Sequence, residues 1–228
     1  MVVIFLFMCY NEVARFSQYA LHPDFRSDSK EDNMKNSNTK RMVGIALLIA
    51  LVVVMQTISG IIPPIGGFSI SLVLLPIVLG AAVYGPGAGA LLGAVFGGIV
   101  YSNCLTGADP GGAMVLQASP VLCFLVVMGK GILAGYFSGL VYRIFARHNG
   151  YIAMLLAAAV CPIINTGVFV ACMMTFFRGV LAAWAGGTNI VAYILTGLVL
   201  SNFVPELIIN LVFSPAGQRI AHEVKKND

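Results

Sequence analysis

Charge is scarce in this chain. Of its 228 residues, 10% are charged and 59% are hydrophobic, and the mean hydropathy is +0.92. A soluble domain carries about 25% charged residues, so a solvated globular surface is excluded. The charges are also segregated, most of them within the first 41 residues and the last ten. The net charge of +4 therefore belongs to basic flanks of membrane helices and is no nucleic-acid footprint. Metal-site patterning is missing as well. Cys9, Cys104, Cys123, Cys161 and Cys172 show no paired ligand spacing, and no His/Glu cluster accompanies them. Buried thiols used as small hydrophobes account for these cysteines. A phosphate-cradling loop is absent: Gly129-Lys130-Gly131 lacks the upstream glycine spacing and lies inside an apolar run. No cofactor or metal is expected.

What is present is a set of long apolar runs, each near the ~20 residues needed to cross a bilayer. Ser69 to Gly98 is the most informative. It reads as two apolar segments joined by the tight turn Gly85-Pro86-Gly87, the first short and interrupted by Pro76. Gly89, Gly93 and Gly97 recur at every fourth position of the second segment, a stripe on which a neighbouring backbone can approach closely. Gly131, Gly135 and Gly139 repeat the spacing further on, through shared packing chemistry and not duplication.

The pattern predicts an all-α, polytopic membrane protein, a bundle of six transmembrane helices. The spans are expected at about Met42–Ile62, Ser69–Tyr84, Pro86–Tyr101, Val115–Phe145, Tyr151–Phe177 and Asn189–Phe213. Residues 42–213 thus form the membrane domain and 214–228 a basic tail. Lys40, Arg41, Arg143, Arg147, Arg219, Lys225 and Lys226 fall on one side of these spans, and Arg178 alone on the other. The positive-inside rule then places both termini in the cytoplasm. Residues 1–41 open on an apolar stretch too short to span and continue polar and turn-rich. They fit a signal peptide poorly, having no basic start and no small-residue cleavage site. They are expected to be a dispensable extension, with Met34 as an alternative start.

Polar side chains inside a membrane are costly and form the shortlist for function. At 1.5 Å per residue, Gln56, Lys130 and Asn165 lie roughly 20 Å from the cytoplasmic ends of their helices, and Asn202 roughly 17 Å. Four polar residues on four helices thus share one layer, in the outer half of a core about 30 Å thick. Lys130 needs an anion, either a ligand carboxylate or Glu206. Asn165 follows Cys161-Pro162 and either contacts a ligand or satisfies carbonyls freed by the proline. Gln56 serves a ligand or an interhelical hydrogen bond. Asn202, Glu206 and Asn210 make one face of the last helix polar, with Glu206 deeper than the layer and better suited to a structural pair or to coupling. In the outer segments, Ile62 to Phe68 suits a lid ending at Phe68. Trp184 is a ligand contact or an interfacial anchor, and Asp109 is expected to be solvated.

These residues reach a family pattern. From about Met42 to Phe213 the chain resembles the substrate-binding S components of energy-coupling-factor (ECF) vitamin transporters, most of all the folate and pantothenate group. The likeness rests on six spans with both ends inside and on the Pro76/Gly80/Gly85-Pro86/Gly89/Gly93 pattern. It rests also on Ala46-Leu47-Leu48-Ile49-Ala50, Lys130, the run Pro162 to Gly167, and Pro205 to Asn210. The first 41 residues have no counterpart in that group. The resemblance implies a binding subunit of a bacterial plasma membrane that captures a vitamin from outside. It implies partners: one transmembrane coupling protein, docked through Ala46 and Ala50, and two ATPases that supply the energy. Lys130 and the few aromatics in the spans favour a small acid such as pantothenate over a fused-ring vitamin. The alternatives are a membrane-embedded enzyme acting on a lipid or prenyl substrate, and an assembly factor that binds no small molecule. The enzyme would need clustered carboxylates or histidines.

Overall fold

A computed structural model describes residues 30–61 and 73–226. These residues are helical almost throughout, with no strand among them. In chain order the helices are α1 (Lys30–Ile61), α2 (Leu74–Tyr84), α3 (Pro86–Thr106), α4 (Pro110–Ala118), α5 (Pro120–Phe145), α6 (Gly150–Phe176), α7 (Arg178–Ala185) and α8 (Ile190–Tyr193). A π-helical stretch, Ile194–Phe203, then leads into α9 (Val204–Lys226). Five helical segments are long and apolar enough to cross a membrane: Thr39–Ser59, Pro86–Thr106, Pro120–Phe145, Gly150–Phe176 and Ile190–Val224. α2 is a shorter apolar helix of 11 residues, roughly 17 Å long at 1.5 Å per residue. Among the described residues, those from Arg41 onward form one unit by their contacts.

The most extensive helix pair is α3 against α5, and the glycine stripes explain it. A β-carbon on Gly89 would strike the carbonyl oxygen of Gly135, and one on Gly93 that of Gly131. A β-carbon on Gly97 would lie 2.9 Å from the carbonyl oxygen of Val127. Each step of four up α3 is a step of four down α5, so the helices run antiparallel with backbone on backbone. Gly85, at φ 94°, turns the chain between α2 and α3 and donates its N–H to Ala81 O at 3.1 Å. A side chain rarely adopts that conformation. α2 packs against both helices of the pair, Gly80 meeting Leu92 of α3 and Ile77 meeting Gly135 of α5, with Leu74, Ile77, Val78 and Ala81 buried. α1 joins through Leu48, which meets the Gly80 position, while Arg41 Nη2 donates to Tyr84 O at 3.1 Å.

α6 packs on α5 and α9 packs on α6. Ser138 Oγ donates to Ala157 O at 3.1 Å, one turn before Pro162 breaks the α6 ladder. Tyr142 Oη donates to Gln218 Oε1 at 3.1 Å, tying α5 to α9. Outward-facing Leu91, Leu125, Leu133, Leu155, Leu200 and Val212 stay exposed, as lipid-facing side chains would.

Three elements differ from the sequence expectation. The fourth span does not begin at Val115. Ser119, held extended at φ −162° before Pro120, separates α4 from α5, because proline disfavours helix in the residue before it. The third span runs on to Thr106, where Gly107 at φ 74° stops it. The last helix runs on through Pro215 to Lys226, with Ser214, Gln218 and Ala221 buried. The segment expected to be a tail from residue 214 is therefore helical as far as Lys226.

The glycine seam sets an expected stability difference. Gly93→Ala places a methyl against a backbone oxygen that can yield only by moving a helix, an overpacking cost of about 1–3 kcal/mol. Gly98→Ala meets nothing within 4 Å and should leave stability unchanged or slightly raised. Thermal unfolding in detergent distinguishes the two variants; equal melting temperatures would show that the seam is not a constraint.

Candidate functional site

Lys130 is flanked by glycines, and Gly131 is fixed in the α3 seam. Its side chain leaves α5 one residue, roughly 100°, away from that contact, toward the space between α3 and α6. The ammonium stands 4.8 Å from the ring centroid of Phe169 on α6 and 5.9 Å from that of Phe96 on α3. An aromatic face attracts a cation by roughly 0.5–2 kcal/mol, more when water is excluded. Two rings therefore hold the ammonium in place without neutralising it. Glu206 is close enough to attract it as well.

The ammonium lies on the wall of a cavity of about 100 Å³. α1 contributes Gln56 and Ser59, α3 Phe96 and Cys104, α5 Cys123 and Lys130, α6 Asn165, Thr166 and Phe169, and α7 Trp184. Asn202 from the π-helical stretch and Glu206 from α9 close the far side. Gln56, Lys130, Asn165 and Asn202, set at one depth by residue counting, are thus brought together, and Trp184 joins them. Phe68 and the segment expected to form a lid lie outside the described residues.

The polar atoms on this wall are poorly satisfied. Gln56 Oε1, Ser59 Oγ, Asn165 Oδ1, Thr166 Oγ1 and Asn202 Oδ1 are buried and have no hydrogen-bond partner among the described residues. Each such group costs about 1–3 kcal/mol in desolvation, so five on one cavity are not a by-product of packing. Their chemistry suits a ligand rich in hydrogen-bond donors and acceptors, with an anionic end toward the ammonium.

The π-helical stretch helps present Asn202. Ser201 Oγ donates to Thr196 O, five residues back, at 2.9 Å, and the N–H of Val204 bonds Val199 O, also five back. π-Bulges of this kind occur frequently at functional sites. Asn202 and Glu206 fall on one face and reach the same cavity. Sequence reasoning set Glu206 below the layer; its four-residue spacing from Asn202 was the signal that they share a wall. Asp109 is corrected too. It is half-buried, lines the cavity, and accepts from Gly112 N at 3.1 Å as the cap of α4. An aspartate directly before proline at the first helical position is a helix-start signature, and that signal places it. Trp184 is half-buried, and its Nε1 donates to Met114 Sδ at 3.2 Å, holding α7 against α4.

Ala46 and Ala50 take no part in the cavity. Both are exposed on α1, while Leu48, Val52 and Met55 are buried. The outward face of α1 thus carries these two small side chains among exposed Met42, Val43, Leu47, Val53 and Val54.

Comparison with known proteins agrees with this arrangement. The family model for the substrate-specific component of ECF transporters matches residues 40–216. The chain is 26% identical over 194 residues to the pantothenic acid transporter PanT of Lactococcus lactis subsp. cremoris (strain MG1363), across 80% of this chain and 94% of that protein. The match covers every helix that lines the cavity, and this multi-pass membrane protein belongs to the family of substrate-specific components of ECF transporters.

Proposed function

We propose that this chain is the binding subunit for uptake of pantothenate, or a small hydroxylated acid very like it, into a bacterial cell. The observation that carries the reading is the cavity wall: five unpartnered buried polar atoms beside one ammonium held over two aromatic rings. A carboxylate at Lys130 forms a charge-assisted hydrogen bond, about twice as strong as a neutral one. Gln56, Asn165, Asn202 and Trp184 bind the remainder of the ligand. The name of the Lactococcus relative points the same way.

Binding is tested by thermal shift with a panel of vitamins. A ligand at 100 times its dissociation constant stabilises the fold by about 2.7 kcal/mol, and pantothenate is expected to do so. Lys130→Met should then weaken pantothenate binding by about 2–5 kcal/mol, the range for truncating a buried charge pair, while the apo protein keeps its melting temperature. A large drop in apo stability with unchanged affinity would assign Lys130 to Glu206 instead.

The bundle crosses the membrane six times, α2 being the short second span, with both termini in the cytoplasm. Arg41 and Arg143 border one cleft at the α2–α3 turn, while Asp109 and Trp184 border the cavity. This separation of basic residues supports the orientation. Cysteines introduced singly at Asp109 and at Lys226 should react with an impermeant maleimide in intact cells at the first position only; the reverse pattern would invert the topology.

Transport itself requires the coupling protein and two ATPase subunits, which supply the hydrolysis. The exposed Ala46 and Ala50 form the face of α1 against which the coupling protein packs, since small side chains let helix backbones approach. Ala46→Trp is expected to abolish uptake in cells and leave pantothenate affinity of the purified subunit unchanged. Loss of both together would remove α1 from the docking face.

A further inference from the structure

Cys104 and Cys123 are cavity-wall residues that ligand recognition does not use. Cys104 lies in the last turn of α3 and Cys123 in the first turn of α5. Both are free and buried, they belong to one buried cluster on the cavity wall, and their sulfurs are near enough to interact. Room for the pair is kept by Gly112, where a β-carbon would collide with the Cys104 sulfur. Asp109 and Lys130 are near enough to act electrostatically on both sulfurs. Burial as a small hydrophobe accounts for a sulfur among aliphatic neighbours. It does not bring two sulfurs together on a polar cavity beside a carboxylate and an ammonium.

We propose that Cys104 and Cys123 are a reactive dithiol that two-electron oxidants of the peroxide class convert to a disulfide across the cavity wall. One thiolate sulfur attacks a peroxide oxygen, the O–O bond breaks, and a sulfenic acid and one water result. The second sulfur displaces the sulfenic hydroxyl, which leaves as a second water with the remaining thiol proton. The pair of sulfurs loses two electrons and two protons, and hydrogen peroxide gains both.

The new bond draws the two sulfurs together to about 2.05 Å. The glycine seam fixes α3 against α5 from Gly89 to Gly97, so the movement falls on the end that carries Asp109 and Gly112. The cavity narrows there, and ligand affinity falls. This last effect rests on the ligand reading above; the disulfide does not.

The test uses the full-length protein, reduced and placed in lipid nanodiscs, titrated with hydrogen peroxide and mapped by peptide mass spectrometry. The expected product is a Cys104–Cys123 linked peptide that dithiothreitol reverses. Cys104→Ser and Cys123→Ser should each give no linkage and instead a dimedone-trapped sulfenic acid at the remaining cysteine. Unreactive thiols, separate oxidation without linkage, or pairing with Cys161 or Cys172 would overturn the proposal. Pantothenate titration by calorimetry gives the second readout. Affinity should fall at least tenfold on oxidation and return on reduction. A linked protein with unchanged affinity would overturn the narrowing of the cavity. Absence of pantothenate binding in the reduced protein would count against the assigned vitamin alone.

Discussion

Backbone contact between α3 and α5 is the constraint on which the remaining architecture depends. In lipid, apolar side chains gain little by leaving one apolar medium for another, so helix pairing rests on close van der Waals approach. Gly89 and Gly93 against Gly135 and Gly131 give the closest approach two helices can make. Once that pair is fixed, Lys130 has one direction available, because its neighbour Gly131 is in the seam. Phe96 is fixed by the same contact, buried in α3, and supplies one of the two rings over the ammonium. The seam and the cationic end of the cavity are therefore one construction.

The polar wall works against the stability that the seam provides. A buried carbonyl or hydroxyl without a partner is among the costlier features a membrane domain can hold. Here five of them face one small space, spread over α1, α6 and the π-helical stretch. The helices that carry them differ from the α3–α5 pair. α6 is interrupted by Pro162, and the segment with Asn202 follows an i→i+5 pattern. Departures from the regular α ladder thus fall in two of the three elements that carry these groups, α6 and the π-helical stretch.

Much of this was readable from the residues. The glycine spacing marked α3 and α5 as helices that a neighbouring backbone can approach, because a period of four on a helix is a geometric statement independent of context; that they approach each other is a finding of the structure. Counting depth along helices brought Gln56, Lys130, Asn165 and Asn202 to one level, because helical rise is nearly constant. That arithmetic fails where the rise changes or the chain breaks. It set Glu206 one turn below Asn202 and so apart from the layer, yet both line the same cavity. It left Asp109 in solvent because an apolar run from Val115 masked the break at Ser119, and with it the short α4 that Asp109 caps. The extension of α9 past Phe213 had no hydropathy signal, since Ser214 and Gln218 are polar; Ser214 is satisfied by Leu211 O within α9 and Gln218 by Tyr142 of α5.

Gly131 and Lys130 are adjacent, yet they answer to different demands. A glycine in the seam is judged by the opposite backbone and tolerates almost no replacement. The wall residues are judged by whatever they bind, and none of them holds the seam together. A lineage could therefore exchange Asn165, Thr166 or Asn202 one at a time and alter what is imported, while the same pair of helices went on folding in the same way. Divergence at these positions and constancy at Gly89, Gly93, Gly131 and Gly135 would be the inheritance pattern of a mount that outlives its cargo.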